Sequence, residues 1–204
     1  MQLLTKRQVL THQTQLGLSL LCLMLAALLT TPVVRADSDD PDLGSHDLAS
    51  AWEELEGDGP WDHAGLSFFH HHDGNRAAVR QSGNDHRLHA TQQGSANVVW
   101  ARQDGNGHVV DISQSGYRNH AITVQQGLEN SLLIEQSGKR NLIAAGQDGA
   151  NNQTDVVQAG RDNRATLAQV GNNNRIDVTQ TGFGHHTQIV QRGDNNSAAV
   201  FQSN

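Results

Sequence analysis

From about residue 75 onward, apolar and polar positions alternate in a pattern that restarts every eleven residues. In the stretch Asn152-Gln153-Thr154-Asp155-Val156-Val157-Gln158, spacing by two sets Asn152, Thr154, Val156 and Gln158 on one face and Gln153, Asp155 and Val157 on the other. Across twelve such units, the positions two and four after the Asn or His that opens each unit hold only Ala, Val, Ile, Leu or Thr. The intervening outward positions mix Arg, Asp, His, Ser, Trp and aliphatics. This alternation predicts a half-buried strand of about seven residues per unit. The x-G-x-x that follows predicts a turn in which Gly takes positive φ.

The register is carried by three columns. Glutamine recurs at Gln81, Gln92, Gln103, Gln114, Gln125, Gln136, Gln147, Gln158, Gln169, Gln180, Gln191 and Gln202. Two residues after each except the last stands a turn glycine, at Gly83, Gly94, Gly105, Gly116, Gly127, Gly138, Gly149, Gly160, Gly171, Gly182 and Gly193. Five residues after the glutamine comes Asn97, Asn119, Asn130, Asn141, Asn152, Asn163, Asn174 or Asn196, with His86, His108 and His185 in the same column and Asn75 opening the first unit. A fixed period held this long marks a repeat architecture.

One short strand cannot bury its face alone, so the units must stack. The predicted class is all-β, a β-solenoid of strand-turn-strand coils with two eleven-residue units per 22-residue coil, about six coils in all. The inward pair is bulkier in alternate units, as in Val110/Ile112, Leu132/Ile134 and Ile176/Val178 against Ala121/Thr123 and Ala165/Leu167, which favours 22 over 11. A buried unpaired amide costs about 1–3 kcal/mol. Stacking removes that cost, because each inward Gln or Asn donates to its equivalent in one neighbouring coil and accepts from the other, forming amide ladders. The last residues, Phe201-Gln202-Ser203-Asn204, remain in register, so the final coil is expected to present an open parallel edge that templates cross-β assembly into amyloid. Asp155 and Asp177, 22 residues apart, would stack outward as like charges and act as gatekeepers against assembly.

Composition divides the chain further. Lys6 and Arg7, an apolar run over about residues 16–29, and Val34-Arg35-Ala36 predict a secretory signal peptide over residues 1–36, too short in its apolar run to span a membrane comfortably. The only cysteine, Cys22, falls inside that run, so the exported chain is expected to use no disulfide and to have no membrane span. Residues 37–69 carry ten Asp/Glu and no Lys/Arg, an acidic, mostly unstructured leader. Residues 70–204, the repeat domain, carry eleven of each sign and stack without accumulating net charge.

The Q-x-G-x-x-N units resemble the curlin repeats of curli subunits, the extracellular functional amyloid fibres of Gram-negative bacteria. Residues 158–163 and 174–184 resemble them most. The resemblance implies self-polymerisation and a partner curli subunit. It also implies passage through the general secretory route and a dedicated outer-membrane channel with accessory factors. The expected location is then the cell surface, in fibres that support adhesion and biofilm matrix. Two features depart from the family pattern: the leader is acidic rather than Gly/Asn-rich, and the first unit has His70 and His72 where Gln and Gly would stand. The leader and the charge-bearing units resemble the minor, nucleating subunit more than the major one, although a divergent basic last unit is missing.

No catalytic arrangement, cofactor or nucleic-acid partner is expected. Neighbouring Ser, His and Asp residues on the outside of a regular solenoid enclose no pocket. His70-His71-His72 and His185-His186 have metal-ligating chemistry but no fixed geometry, and no metal site is assigned to them. His86, His108 and His185 are read as replacements for the inward Asn, since a neutral imidazole offers one donor and one acceptor. The alternative function is a soluble monomeric β-solenoid that binds ice or polysaccharide, which would show a uniform outward column and capped ends.

Overall fold

A computed structural model describes residues 74–204. The expected signal peptide, the acidic leader and the His70–His72 cluster lie outside these residues. Twelve strands follow one another: β1 (Arg76–Asn84), β2 (Arg87–Ser95), β3 (Val98–Asn106), β4 (Val109–Tyr117), β5 (His120–Leu128), β6 (Ser131–Lys139), β7 (Leu142–Ala150), β8 (Gln153–Arg161), β9 (Arg164–Asn172), β10 (Arg175–Phe183), β11 (His186–Arg192) and β12 (Ser197–Ser203).

Odd strands form one parallel sheet and even strands the other, each six-stranded and ordered along the chain. Every pairing is offset by 22 residues, for example Gln125↔Gln147 and Gln136↔Gln158. The fold is therefore a two-sheet β-solenoid of about six coils. Inward Val99, Ala121, Ile143, Ala145, Ala165 and Leu167 of one sheet meet Val110, Ile112, Leu132, Ile134, Val156, Ile176 and Val178 of the other in a single core cluster. Small residues face large ones across much of the stack, which lets modest side chains fill the gap of about 10 Å between sheets.

The strands are longer than the expected seven residues. Most run nine and continue through the repeat glycine, because parallel pairing persists wherever identical positions stack, as at Gly116↔Gly138. Before each strand from β2 to β11, the reversal is instead confined to a two-residue corner with one residue in the left-handed region. Asp85, Ala96, Arg118, Glu129, Arg140, Asn151, Asp162, Asn173 and Asn195 occupy that site at φ between 51° and 60°, joined by Gly107 and Gly184. Nine of the eleven corners thus tolerate a side chain in a conformation that costs an isolated residue about 1–2 kcal/mol. Continued stacking offsets that cost. From Gly107 on, each corner residue's N–H still donates to the coil below it, as in Arg140 N to the Tyr117 carbonyl at 2.9 Å and Asn151 N to the Leu128 carbonyl at 3.0 Å.

Inward threonines show how position within the unit decides whether a hydroxyl is satisfied. Thr154, in the first inward slot, accepts from Gln147 Nε2 at 3.2 Å and donates to Gln169 Oε1 at 2.9 Å across the core. Thr123, in the second slot two residues further along, is fully buried and its hydroxyl has no partner. Thr123→Val is therefore expected to raise the unfolding free energy of the soluble solenoid by about 1 kcal/mol, and Thr154→Val to lower it by a similar amount. Urea denaturation of both variants checks this. Equal losses would show that the Thr123 hydroxyl is satisfied in solution.

Candidate functional site

The repeat glutamines form two unbroken columns, one per sheet. From Gln81 to Gln180, each Nε2 donates to the Oε1 of the glutamine 22 residues on, at 2.7 to 3.0 Å. From Gln92 on, the same Nε2 also donates sixteen residues back, to the carbonyl of the first residue of the preceding strand, as in Gln136 to His120 at 3.1 Å and Gln158 to Leu142 at 3.2 Å. That carbonyl belongs to the opposite sheet. From Gln92 to Gln180, each glutamine thus ties its coil to the next and its sheet to the other, using both amide hydrogens. Gln103, Gln125, Gln147, Gln158, Gln169 and Gln180 do so with no exposed surface.

Asparagine solves a different problem. It follows the left-handed corner residue, where its own backbone N–H no longer faces a strand carbonyl. The Oδ1 of the asparagine one coil below takes that N–H: Asn97 Oδ1 accepts from Asn119 N at 3.0 Å and from Asn119 Nδ2 at 3.2 Å. The column continues through Asn141, Asn163 and His185 on one edge, and through Asn130, Asn152, Asn174 and Asn196 on the other. From Asn97 to Asn174, each Nδ2 also donates to a glycine carbonyl of the coil above, as Asn119 does to Gly138 at 3.2 Å.

Histidine reproduces these contacts. His108 Nε2 donates to the Asp104 carbonyl at 3.0 Å, four residues back, where Asn119 Nδ2 donates to the Ser115 carbonyl. Its Nδ1 accepts from Asn130 N at 3.2 Å, as an asparagine Oδ1 would. These contacts require the neutral imidazole with its proton on Nε2. His86 stacks on His108 with ring centroids 5.1 Å apart and planes within 10°.

The repeat glycines are required by the next coil rather than by a turn alone. A Cβ on Gly149, at φ +125°, would lie 2.0 Å from the Gly171 carbonyl oxygen, and the same collision recurs up the column. Gly193 lies in the last coil, and a Cβ there would meet nothing nearer than Asn196 Nδ2 at 3.8 Å. Asn204 stands at a glycine register position. Its Oδ1 accepts from Phe183 N at 2.9 Å and its Nδ2 donates to the Phe183 carbonyl at 3.2 Å, so the side-chain amide plays the part of a peptide group.

Asp155 and Asp177 stack in register, yet their repulsion is not left uncompensated as expected. Arg175 reaches between them, at 3.1 Å from Asp155 and 2.8 Å from Asp177, and also donates to Gln153 Oε1 at 2.8 Å. Burial raises the Asp155 carboxyl above its ordinary range and Asp177 adds to the rise, while Arg175 opposes it. Arg175 was legible only as one of several mixed outward residues. A further external column also escaped the repeat pattern, because its members differ: Asn106 Oδ1 accepts from Asn84, Asn172 Oδ1 from Ala150 N, and Asp194 Oδ1 from Asn172.

A family model described as the curlin associated repeat matches residues 109–138, 127–160 and 149–182. No curated protein and no solved structure gives a match.

The histidines give the stack a pH dependence of definite sign. Burial, with a smaller contribution from His86, holds His108 below the ordinary imidazole value of 6.5. His120 is pushed down to about 4 by burial and by Arg118. A lowered folded value means these groups contribute their full stability above about pH 6.5. That stability is lost on acidification, as the unfolded chain takes up protons that the folded chain refuses. Hydrogen exchange, corrected for intrinsic rates, should show β3 to β6 opening more readily at pH 5 than at pH 7. His108→Asn, which restores the usual residue of the column, should remove the His108 share and leave that of His120. A pH response unchanged by this substitution would exclude the buried His108 as a source.

Proposed function

From the match of residues 109–182 to the curlin associated repeat, we propose that the chain is a curlin-repeat protein and a secreted structural subunit of a curli-type extracellular amyloid fibre. The observation that carries this reading is the direction of the ladders. At the β11–β12 face, Gln191 and Gln202 each donate one Nε2 hydrogen to a carbonyl of their own chain and have no acceptor for the other among the described residues, while Asn196, itself a donor to Asn174, has no donor to its Oδ1 there. At the β1–β2 face, Gln81 and Gln92 present Oε1 with no donor to it among the described residues. A second copy stacked in the same sense completes these pairs. Because the described strands number twelve, β1 of one copy continues the sheet of β11 in another, and β2 continues that of β12. Each copy would advance the fibre by about 29 Å at the usual strand spacing.

Export and surface location are inferred from the family and from the expected signal peptide. A nucleating role beside a partner subunit is inferred from the charged outward residues, and adhesion and biofilm support from fibre formation. Adding the chain at low ratio to a purified major curli subunit tests the nucleating role. Loss of the lag supports it, and an unchanged lag refutes it.

The glycine column provides the sharper test of stacking. Gly149→Ala and Gly193→Ala both force a side chain to positive φ, but only the first collides with a coil of the same chain. Gly149→Ala should therefore unfold the solenoid, whereas Gly193→Ala should leave a soluble, folded chain that neither elongates seeds nor is relieved by excess monomer. Gln191→Ala with Asn196→Ala should slow elongation, while Gln136→Ala, inside the stack, should mainly lower monomer stability by about 1–3 kcal/mol. If Gly193→Ala and the paired substitution extend seeds at the unmodified rate, growth does not occur on the β11–β12 face.

A further inference from the structure

At each half-coil the chain rounds one of two long edges, and the two edges carry opposite charge. The edge that leads from odd to even strands comprises residues 84–86, 106–108, 128–130, 150–152, 172–174 and 194–196. It holds Asp85, Glu129 and Asp194 and no Lys or Arg, and all three acids are exposed. The edge that leads from even to odd strands comprises residues 95–97, 117–119, 139–141, 161–163 and 183–185. It holds Arg118, Lys139, Arg140 and Arg161 against the single acid Asp162.

The basic edge is ordered by stacking. Tyr117, Lys139, Arg161 and Phe183 form one column, each in register with the next. Arg118 lies 5.0 Å over the Tyr117 ring and Arg161 lies 5.4 Å over Phe183, while Arg140 makes a two-pronged pair with Asp162 at 2.6 and 2.8 Å. Phe183 is 58% exposed, and on the acidic edge Leu128, next to Glu129, is 51% exposed. Charge and apolar surface are thus both complementary between the two edges.

The edges are separated by the strand length, about 30 Å, several times the screening length of about 8 Å at physiological salt. They do not neutralise each other within one molecule. Resting on the fibre reading above, we propose that the basic edge is a lateral docking surface for the acidic edge of a second copy, so that filaments join side by side into bundles. Every filament carries one edge of each sign on opposite sides, so the contact is heterologous and does not close on a pair. Individual exposed ion pairs are weak. Repetition along two filaments of many copies makes the sum decisive, in the manner of multivalent attachment.

The test uses fibres grown from the full chain, with bundling read by low-speed sedimentation and by filament width in electron micrographs. Unmodified fibres should bundle at low ionic strength and disperse near 1 M salt, where the screening length falls to about 3 Å. Lys139→Glu with Arg161→Glu should give a several-fold drop in the sedimented fraction at low salt, with an unchanged rate of seeded elongation. Asp85→Lys with Glu129→Lys should do the same, leaving Asp194 to its bond with Asn172. Preformed fibres of the two variants, mixed, should bundle again, which a folding defect in either variant could not produce. Bundling that ignores salt or survives both substitutions would overturn the proposal in favour of face-to-face packing of the sheets. Bundling that needs added heparin or DNA would overturn it in favour of a bridging polyanion. Failure of the unmodified chain to form any fibre would instead overturn the fibre reading itself.

Discussion

A side-chain amide buried between two β-sheets has to find its partner in the coil above or below, and most of the solenoid follows from that requirement. It fixes the offset of 22, because only the equivalent residue arrives at the same height and depth. Once Gln103 bonds Gln125 and Gln125 bonds Gln147, the apolar positions between them fall into register without further instruction. The core of Val, Ile, Leu and Ala then has only to fill space. Its small and interchangeable side chains make poor determinants of register, and the amides supply the specificity that the apolar residues lack.

Glycine and asparagine extend this constraint to the parts of the coil where strand pairing would otherwise fail. The glycine position brings two backbones so close that any Cβ would strike the next carbonyl. The asparagine position receives an N–H that the corner has turned away from its strand partner. Both residues answer to a neighbouring coil, so the sequence of one unit is intelligible only in the presence of another. The corner residue between them meets the neighbouring coil through its backbone N–H, which needs no particular side chain, and its identity drifts from Asp85 through Ala96 and Arg140 to Asn195 at nearly the same φ.

Much of this was legible in the chain because repetition is itself the signal. The period, the inward set, the pairing of alternate units and the family resemblance all follow from residues that recur in fixed places. Contacts made between unlike positions were not legible. The bond from Gln136 to the His120 carbonyl crosses the core at an offset of sixteen, which no repeat displays. Asn97 Oδ1 serves a backbone N–H, and a column of similar side chains suggests only amide-to-amide pairing. Arginine opens only four of the twelve strands, so the bridge of Arg175 between Asp155 and Asp177 leaves no periodic trace, and the pair reads from sequence as simple repulsion. The sequence pattern predicts too short a strand because glycine signals a turn, whereas here its positive φ aims the Cβ direction at the next coil's carbonyl while the strand continues.

The two kinds of ladder also face opposite ways. Every glutamine Oε1 in a rung points towards the start of the chain, since it accepts from the coil before it, whereas every asparagine Oδ1 in a rung points towards the end. An amide is a strong dipole, and a column of aligned amides adds up along its length just as the peptide units of a helix do. Here two columns add in one sense and two in the other. Their sum stays small however many coils are stacked, so a filament of any length gathers no field at its tips, and lengthening is not opposed by its own polarisation.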